Sequence, residues 1–294
     1  MRELRITIAA EDEGKAVRFI ALQRLSMSYA QFKRAKFQGA LVLNGERVHA
    51  DRRVRAGQTL VVRVPEEASG TVEPYPLTLR VAYEDGDILV IDKPAPLPSV
   101  GSRIQGGLSL ENAVFSYLGA PEGFLYRPVN RLDKGTSGLM AVAKHAHAQQ
   151  YLQRRLHSDT FIREYLAVCD GVPPASEGVI DAPIGKADGP SIRRIVTAQG
   201  KPARTDYRLE GTYGGRSLLR LRLHTGRTHQ IRAHLSSIGC PVTGDFLYGT
   251  EHPLLPRRFA LHSAILKLTT LNEKHIRLES PMPDVFAQVL AGQP

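Results

Sequence analysis

Val129-Asn130-Arg131-Leu132-Asp133-Lys134-Gly135-Thr136-Ser137-Gly138-Leu139 is the stretch on which the reading of this chain turns. It sets one carboxylate in a polar, glycine-rich loop and follows it with an apolar strand from Leu139 to Ala143. A loop that runs into a rigid strand can present a reactive group. The same residues are also good turn formers, and Asp133 could simply cap a turn; spacing alone favours that plainer use. Gly135-Thr136-Ser137-Gly138-Leu139 approximates the Gly-x-Ser-x-Gly elbow of hydrolases, but it ends in Leu, and its strand follows the serine instead of preceding it. No Gly-x-x-x-x-Gly-Lys-Ser/Thr run occurs, so a phosphate-cradling loop is excluded.

The surroundings bound the answer. A chain of 294 residues fits one large domain with a small appendage. Hydrophobic residues make up 42% and charged residues 23%, which is ordinary for a folded protein with a sizeable core. Lys and Arg number 39 against 29 Asp and Glu, and the resulting charge of +10 makes a polyanion the first partner to consider, nucleic acid before a membrane surface. Cys169 and Cys240 lie far apart, with no zinc-like spacing, and read as reduced bystanders. Nowhere do roughly 18 apolar residues run uninterrupted, so no membrane span is expected and the protein is placed in the cytoplasm.

Toward the N-terminus, apolar residues at helical spacing from Gly14 to Leu25 predict a helix, and Ser28 with Gln31 forms a capping box opening a second. That second helix, Tyr29 to Phe37, carries Lys33, Arg34 and Lys36, with Gly39 as its stop. Asn44-Gly45 between Leu41-Val42-Leu43 and Glu46-Arg47-Val48 is a strong hairpin signal, and a third strand follows from Thr59 to Val64. With Arg18, Phe19 and the run from Val54 to Gly57, residues 1–66 resemble the S-four-like RNA-binding domain named after a ribosomal protein. The alternative is a generic small α+β unit whose lysines merely solvate a helix face. Residues 67–76 are polar and turn-rich and read as a linker to a larger domain, 77–294.

In that larger domain Arg131-Leu132-Asp133-x-x-Thr136-Ser137-Gly138 resembles the signature of the RluA-type pseudouridine synthases. Further segments match in order: Tyr83-Glu84-Asp85 to Asp92-Lys93-Pro94, Arg163-Glu164-Tyr165-Leu166-Ala167, and Gly226-Arg227-Thr228-His229-Gln230-Ile231-Arg232-x-His234. Gly244-Asp245-x-x-Tyr248-Gly249 and Arg258-x-x-Leu261-His262-x-Ala264 follow. Asn130 stands where many members have His, and Pro96 replaces a frequent Gly. The resemblance implies an α+β fold with an extended, mostly antiparallel mixed sheet flanked by helices. It implies isomerisation of uridine to pseudouridine in RNA, with Asp133 as the essential residue. Arg227 is then its cationic partner, Tyr165 the platform for the uracil and a candidate proton acceptor at carbon 5, and Arg131 the wedge that replaces a flipped base. Lys33, Arg34, Lys36 and Arg232 are the remaining expected RNA contacts.

The reaction breaks a C–N bond, turns the free base and forms a C–C bond, without redox change, so it needs no cofactor. A carboxylate that stays ionised near other groups needs a cation or donors beside it. A metal site is not expected: five residues separate His229 from His234, about 140° apart on a helix of 3.6 residues per turn. The expected partner is structured RNA, ribosomal RNA of the large subunit first and transfer RNA second, with no membrane and a monomeric chain. Two other readings stand beside this one. One is a non-catalytic RNA-binding or ribosome-assembly factor, resting on Asn130 and the basic first domain. The other is a glycosidase or nucleosidase, disfavoured because Asp133 has no evident second carboxylate.

Overall fold

The computed structural model describes residues 2–25, 27, 29–37, 40–64, 72–101, 107–189 and 191–292. They form two compact units, one comprising Met1–Thr71 with Pro121–Leu125 and His145–Tyr151, the other Val72–Ala120, Tyr126–Lys144 and Leu152–Pro294. Among the described residues no helix is long and apolar enough to cross a membrane.

In the first unit β1 (Arg2–Thr7) is followed by α1 (Val17–Phe19), which continues as a π-helical turn, Ile20–Arg24. Then come α2 (Tyr29–Phe37), β2 (Leu41–Leu43), β3 (Glu46–Arg47) and β4 (Thr59–Val64). The strands pair antiparallel in the order β1-β4-β2-β3. Leu41, Leu43, Leu60 and Val62 turn inward and pack with Val17, Ile20, Ala21, Phe32 and Ala35 into one apolar cluster. The β2–β3 turn is made by Asn44 at φ 49° and Gly45 at φ 88°, the left-handed pair that an Asn-Gly hairpin requires. Asn44 Oδ1 also accepts the Thr59 N–H at 2.7 Å, which joins the turn to β4.

Two expectations change here. The helix expected over 14–25 begins only at Val17 and loosens at Ile20, whose carbonyl accepts from Leu25 N–H, five residues on. The strand β1 had no counterpart in the sequence reading, although Leu4, Ile6 and Ile8 alternate; it docks on β4 over its whole length. The expected Ser28 cap and Gly39 stop lie outside the described residues.

The second unit holds β5 (Arg80–Glu84), β6 (Ile88–Lys93), α3 (Leu110–Tyr117), β7 (Ser137–Ala143) and β8 (Phe161–Asp170). The helix α4 (Ala146–Arg155) lies between β7 and β8 in sequence. There follow β9 (Glu177–Asp181), β10 (Ile184–Lys186), β11 (Arg194–Val196), β12 (Arg204–Tyr213) and β13 (Arg216–Leu223). The chain closes with α5 (Gln230–Ser237), β14 (Leu261–Thr269), β15 (His275–Glu279) and α6 (Asp284–Leu290). Among the described residues nine strands make one sheet in the order β5-β6-β7-β14-β8-β13-β12-β9, with β15 also on β14, while β10 and β11 form a separate ribbon. In that sheet β7 and β14 run parallel and the other pairs are antiparallel, as expected of a mostly antiparallel mixed sheet.

The central strands are covered on both faces. Every residue of β7 is buried, and on β6 Ile88, Leu89, Val90 and Ile91 have no exposed surface. A strand buried on both faces should read as a continuous apolar run, which is how 88–91 and 139–143 read. Of the expected linker, 67–71 lies outside the described residues, and 73–75 is fastened to α3: Ser116 Oγ accepts from Tyr75 N–H at 2.7 Å, and Asn112 Nδ2 donates to Glu73 C=O at 2.9 Å. Those residues count with the larger unit because hydrogen bonds to a helix hold them there. Cys169 and Cys240 are buried free thiols.

Gly138, at φ 103°, sits in β7 opposite Ser263 of β14, and a Cβ there would lie 2.3 Å from the Ser263 carbonyl oxygen. Neither backbone can yield without opening the parallel pair. Gly138→Ala is therefore expected to lower unfolding free energy by at least about 3 kcal/mol, as a strained backbone and a backbone clash combine. Urea denaturation measures it.

Candidate active site

Asp133 lies in the loop that enters β7, and the loop is fixed from behind. Ser99 Oγ donates to the Leu132 carbonyl at 2.6 Å and accepts the Leu132 N–H at 3.1 Å, so one hydroxyl brackets a single residue. Leu97 N–H donates to the Lys134 carbonyl at 3.0 Å, and Thr136 N–H closes the turn on the Asp133 carbonyl at 3.1 Å. Asp133 thus does terminate a turn, through its backbone, and its side chain remains free for other work. Gly135 approaches the Phe259 ring so closely that a Cβ would sit 2.6 Å from it, which requires glycine at this position.

The carboxylate meets Arg232. Nη1 of Arg232 donates to Asp133 Oδ2 at 3.0 Å, while Nε and Nη2 grip Asp245 Oδ2 and Oδ1 at 2.6 and 2.8 Å. The guanidinium plane packs on Phe259 at 4.3 Å and on Tyr248 at 5.0 Å from the ring centroids. Arg232 is 3% exposed and Asp245 fully buried, whereas the Asp133 side chain keeps 27% of its surface open. Burial works against the charge on Arg232, but its bonds to Asp245 and Asp133 outweigh that and hold its pKa above the usual arginine value.

His229 adds a neutral neighbour. It caps α5 in the left-handed region, φ 56°, with Nε2 4.0 Å from Asp133 Oδ2 and Nδ1 3.2 Å from the Tyr248 hydroxyl. Burial lowers its pKa below the ordinary histidine value, against the pull of Asp133, so the imidazole is uncharged at neutral pH. Tyr248 in turn accepts the Arg194 N–H at 2.8 Å. Lys93, at the end of β6, is fully buried and donates to the carbonyls of Leu97 and Pro94 at 2.7 and 3.0 Å. Burial pulls its pKa down to about 7, opposed by the charge of Asp133.

Several expected residues fall elsewhere. Arg227, expected beside Asp133, donates through Nε to the Pro202 carbonyl at 3.0 Å, because Gln230 Oε1 accepts its backbone N–H at 2.9 Å and holds it in the turn before α5. Arg232, expected on RNA, is the buried residue that takes the place assigned to Arg227. The helical spacing applied to His229 and His234 did not hold either, since α5 starts at Gln230 and His229 is outside it. His234 instead bonds Thr205 Oγ1 and the Ala182 carbonyl, both at 2.9 Å. Asn130 turns inward, 5% exposed, with Oδ1 accepting the Ala141 N–H at 3.0 Å.

Tyr165 on β8 is 4% exposed and near enough to Asp133 to feel its charge. Burial raises its pKa, against the nearby charge of Arg163 and a contact with Ser263, whose Oγ also donates to the Leu139 carbonyl at 2.9 Å. Arg131 is exposed two residues before Asp133. Asp245, Tyr248, His229 and Lys93 had no assigned role; their segments were quoted as family-like, yet only folding shows that they converge on one carboxylate.

Comparison with known proteins decides what this arrangement belongs to. A family profile described as RNA pseudouridylate synthase matches residues 87–237. The uncharacterized RNA pseudouridine synthase YjbO of Bacillus subtilis is 36% identical over 258 residues, spanning 87% of this chain and 91% of that protein. The chain belongs to the RNA pseudouridylate synthase family. Its reaction is the isomerisation of uridine to pseudouridine in RNA. The synthase is also 36% identical over 287 residues to ribosomal large subunit pseudouridine synthase D of Nitrosomonas europaea, which covers 91% of this chain and 82% of that one. Among solved structures, human RNA pseudouridylate synthase domain containing 1 aligns with a TM-score of 0.56 at 27% identity, over 77% of the synthase and 98% of that chain.

The two arginines can be told apart by stability. Arg232→Met leaves buried Asp245 without its cation and is expected to cost about 3–5 kcal/mol, whereas Arg227→Ala, near the surface, should stay within about 0.5 kcal/mol in a thermal melt of the two variants side by side.

Lys93 gives a second test. Its depressed pKa means that the unfolded chain binds a proton the folded chain has released, so stability rises with pH from about 7 toward the unfolded lysine value, by at most about 1.4 kcal/mol per pH unit. Urea midpoints of wild type and Lys93→Met at about pH 7 and pH 8.5 should show that rise only in wild type.

Proposed function

We propose that the synthase isomerises uridines of structured RNA at Asp133, with large-subunit ribosomal RNA as its substrate. The observation that carries this is the Arg232–Asp133 contact at 3.0 Å on a carboxylate that stays 27% open. Among the described residues the one hydrogen bond to that carboxylate falls on Oδ2, which leaves Oδ1 to engage the ribose. A carboxylate held in this way can meet positive charge developing at the sugar when the glycosidic bond breaks. A uracil stacked in RNA must leave its neighbours to reach Oδ1, at a cost of a few kcal/mol. Exposed Arg131 supplies the replacement, since a guanidinium plane stacks on bases and pairs with phosphate.

Tyr165 serves in this reading as the aromatic wall against which the freed base turns. Once the C–C bond has formed, the carbon-5 proton leaves to a base at this wall, the Tyr165 hydroxyl or the Asp133 carboxylate. Ribosomal RNA is favoured because the Nitrosomonas relative carries that substrate in its name, and the charge of +10 suits a polyanion. The first unit, with Lys33, Lys36 and Arg34, contributes RNA affinity. The enzyme acts as a monomer in the cytoplasm.

Asp133→Asn should bind RNA as wild type does yet release no tritium from carbon-5-labelled uridine RNA. Release at the wild-type rate would refute the assignment of Asp133. In a deletion strain, pseudouridine mapped at single-nucleotide resolution should vanish from large-subunit ribosomal RNA; loss confined to transfer RNA would overturn the substrate while leaving the chemistry intact.

A further inference from the structure

In the first unit α1, α2 and the His49–Arg53 loop enclose a cavity of about 540 Å³. Its walls are set by backbone. Arg18 N–H donates to the Ala50 carbonyl and Val17 N–H to the Arg52 carbonyl, both at 2.8 Å, and an antiparallel bridge joins Ala16 to Arg53. Arg53 Nη1 is anchored on the Gly14 carbonyl at 2.9 Å. The floor is apolar, with Phe32 3% exposed, and the rim carries Arg18, Lys33, Lys36 and Arg53. The volume lies within the range of small-molecule sites, about 300–1,000 Å³, and exceeds what a passing phosphate needs.

Two rings stand beside that rim. Tyr29 is 69% and Phe37 74% exposed, and both line the cavity. Tyr29, Lys33 and Phe37 recur every fourth residue along α2, so ring, ammonium and ring follow one another down one side of the helix. Neither ring contributes to the apolar cluster of the unit, whose helical members on α2 are Phe32 and Ala35. The rim attracts a polyanion. Duplex RNA keeps its bases stacked inward and offers these rings nothing to stack on. An unpaired nucleotide offers a face for the rings, phosphates for the cations and N–H groups for Asp51, the acceptor in the lining.

We propose that this cavity binds an unpaired nucleotide of the RNA substrate, distinct from the uridine that is isomerised. The proposal rests on the reading of the chain as an RNA-modifying enzyme and gives it a second point of recognition, one that selects RNA carrying a bulged or looped base. Stacking supplies the preference and the cations supply salt-dependent affinity.

Fluorescence anisotropy of the full chain with three blunt RNA duplexes, each annealed from two strands and free of loops, tests it: one fully paired, one with a single bulged nucleotide, one with the same bulge made abasic. Wild type should bind the bulged duplex about tenfold more tightly than the other two, the scale of one stacked base. Tyr29→Ala or Phe37→Ala should lose that preference and keep the salt slope, while Lys33→Ala should keep the preference and flatten the slope by about one. Equal affinity for all three duplexes, or a preference that survives both ring substitutions, overturns the proposal. Tritium release from carbon-5-labelled large-subunit ribosomal RNA separates the two readings: release that persists when the bulge preference is absent leaves the synthase assignment standing, and wild type that releases none removes it.

Discussion

Arg232 has to satisfy two carboxylates at once, and the rest of the site follows from that demand. A buried guanidinium without partners would cost several kcal/mol, so its charge must be met where it lies. Asp245 takes Nε and Nη2 in a fork, and Phe259 and Tyr248 pack on the guanidinium plane. With two nitrogens and the planar surface committed, the direction of Nη1 is no longer adjustable. Asp133 therefore meets a donor whose position is set before substrate arrives, which is the condition for preorganised electrostatic catalysis. Gly135 lets the loop come close enough to Phe259 for this to happen.

One guanidinium bonds both carboxylates, and neither His229 nor Lys93 adds a hydrogen-bonded ion pair to Asp133. His229 is neutral because burial outweighs the pull of Asp133. Lys93 is bonded to backbone carbonyls instead of to a carboxylate, and its pKa of about 7 leaves it only partly protonated at neutral pH. A second ion pair would stabilise Asp133 in its resting state and blunt it toward a developing sugar cation. In the proposed reaction that restraint leaves Asp133 able to answer the charge developing at the sugar.

The parts legible from sequence were those with local causes. An Asn-Gly pair sets its own turn, an apolar run such as 88–91 announces a strand covered on both faces, and the basic helix 29–37 shows in its composition. The Arg-Leu-Asp motif was legible through family resemblance alone, since its residues serve equally well as a turn. What escaped was pairwise and distant. Arg227 and Arg232 are both arginines near the start of one helix, and the order of residues cannot say which of them the Asp245 turn will meet. Ser263 explains why position 138 is glycine, yet 124 residues separate Ser263 from Leu139, whose carbonyl its hydroxyl holds. His229 was placed on a helix that starts one residue later, so an angle computed for a helix was applied to a left-handed cap.

The spacing of Arg131, Leu132 and Asp133 has its own physical reason. Leu132 is 6% exposed and its N–H and C=O are both taken by Ser99, so the loop is pinned at its middle residue. Arg131 is exposed, Leu132 buried and Asp133 half-buried, so the two residues that flank the anchored one are those open to solvent. In the proposed function a wedge and a carboxylate acting on one nucleotide would have to keep a fixed distance while RNA pushes against them, and anchoring the residue between them achieves this without stiffening either side chain. Asn130, one residue further back, is buried and turned toward β7, where its Oδ1 accepts the Ala141 N–H, so it ties the start of the loop to the strand that the loop enters.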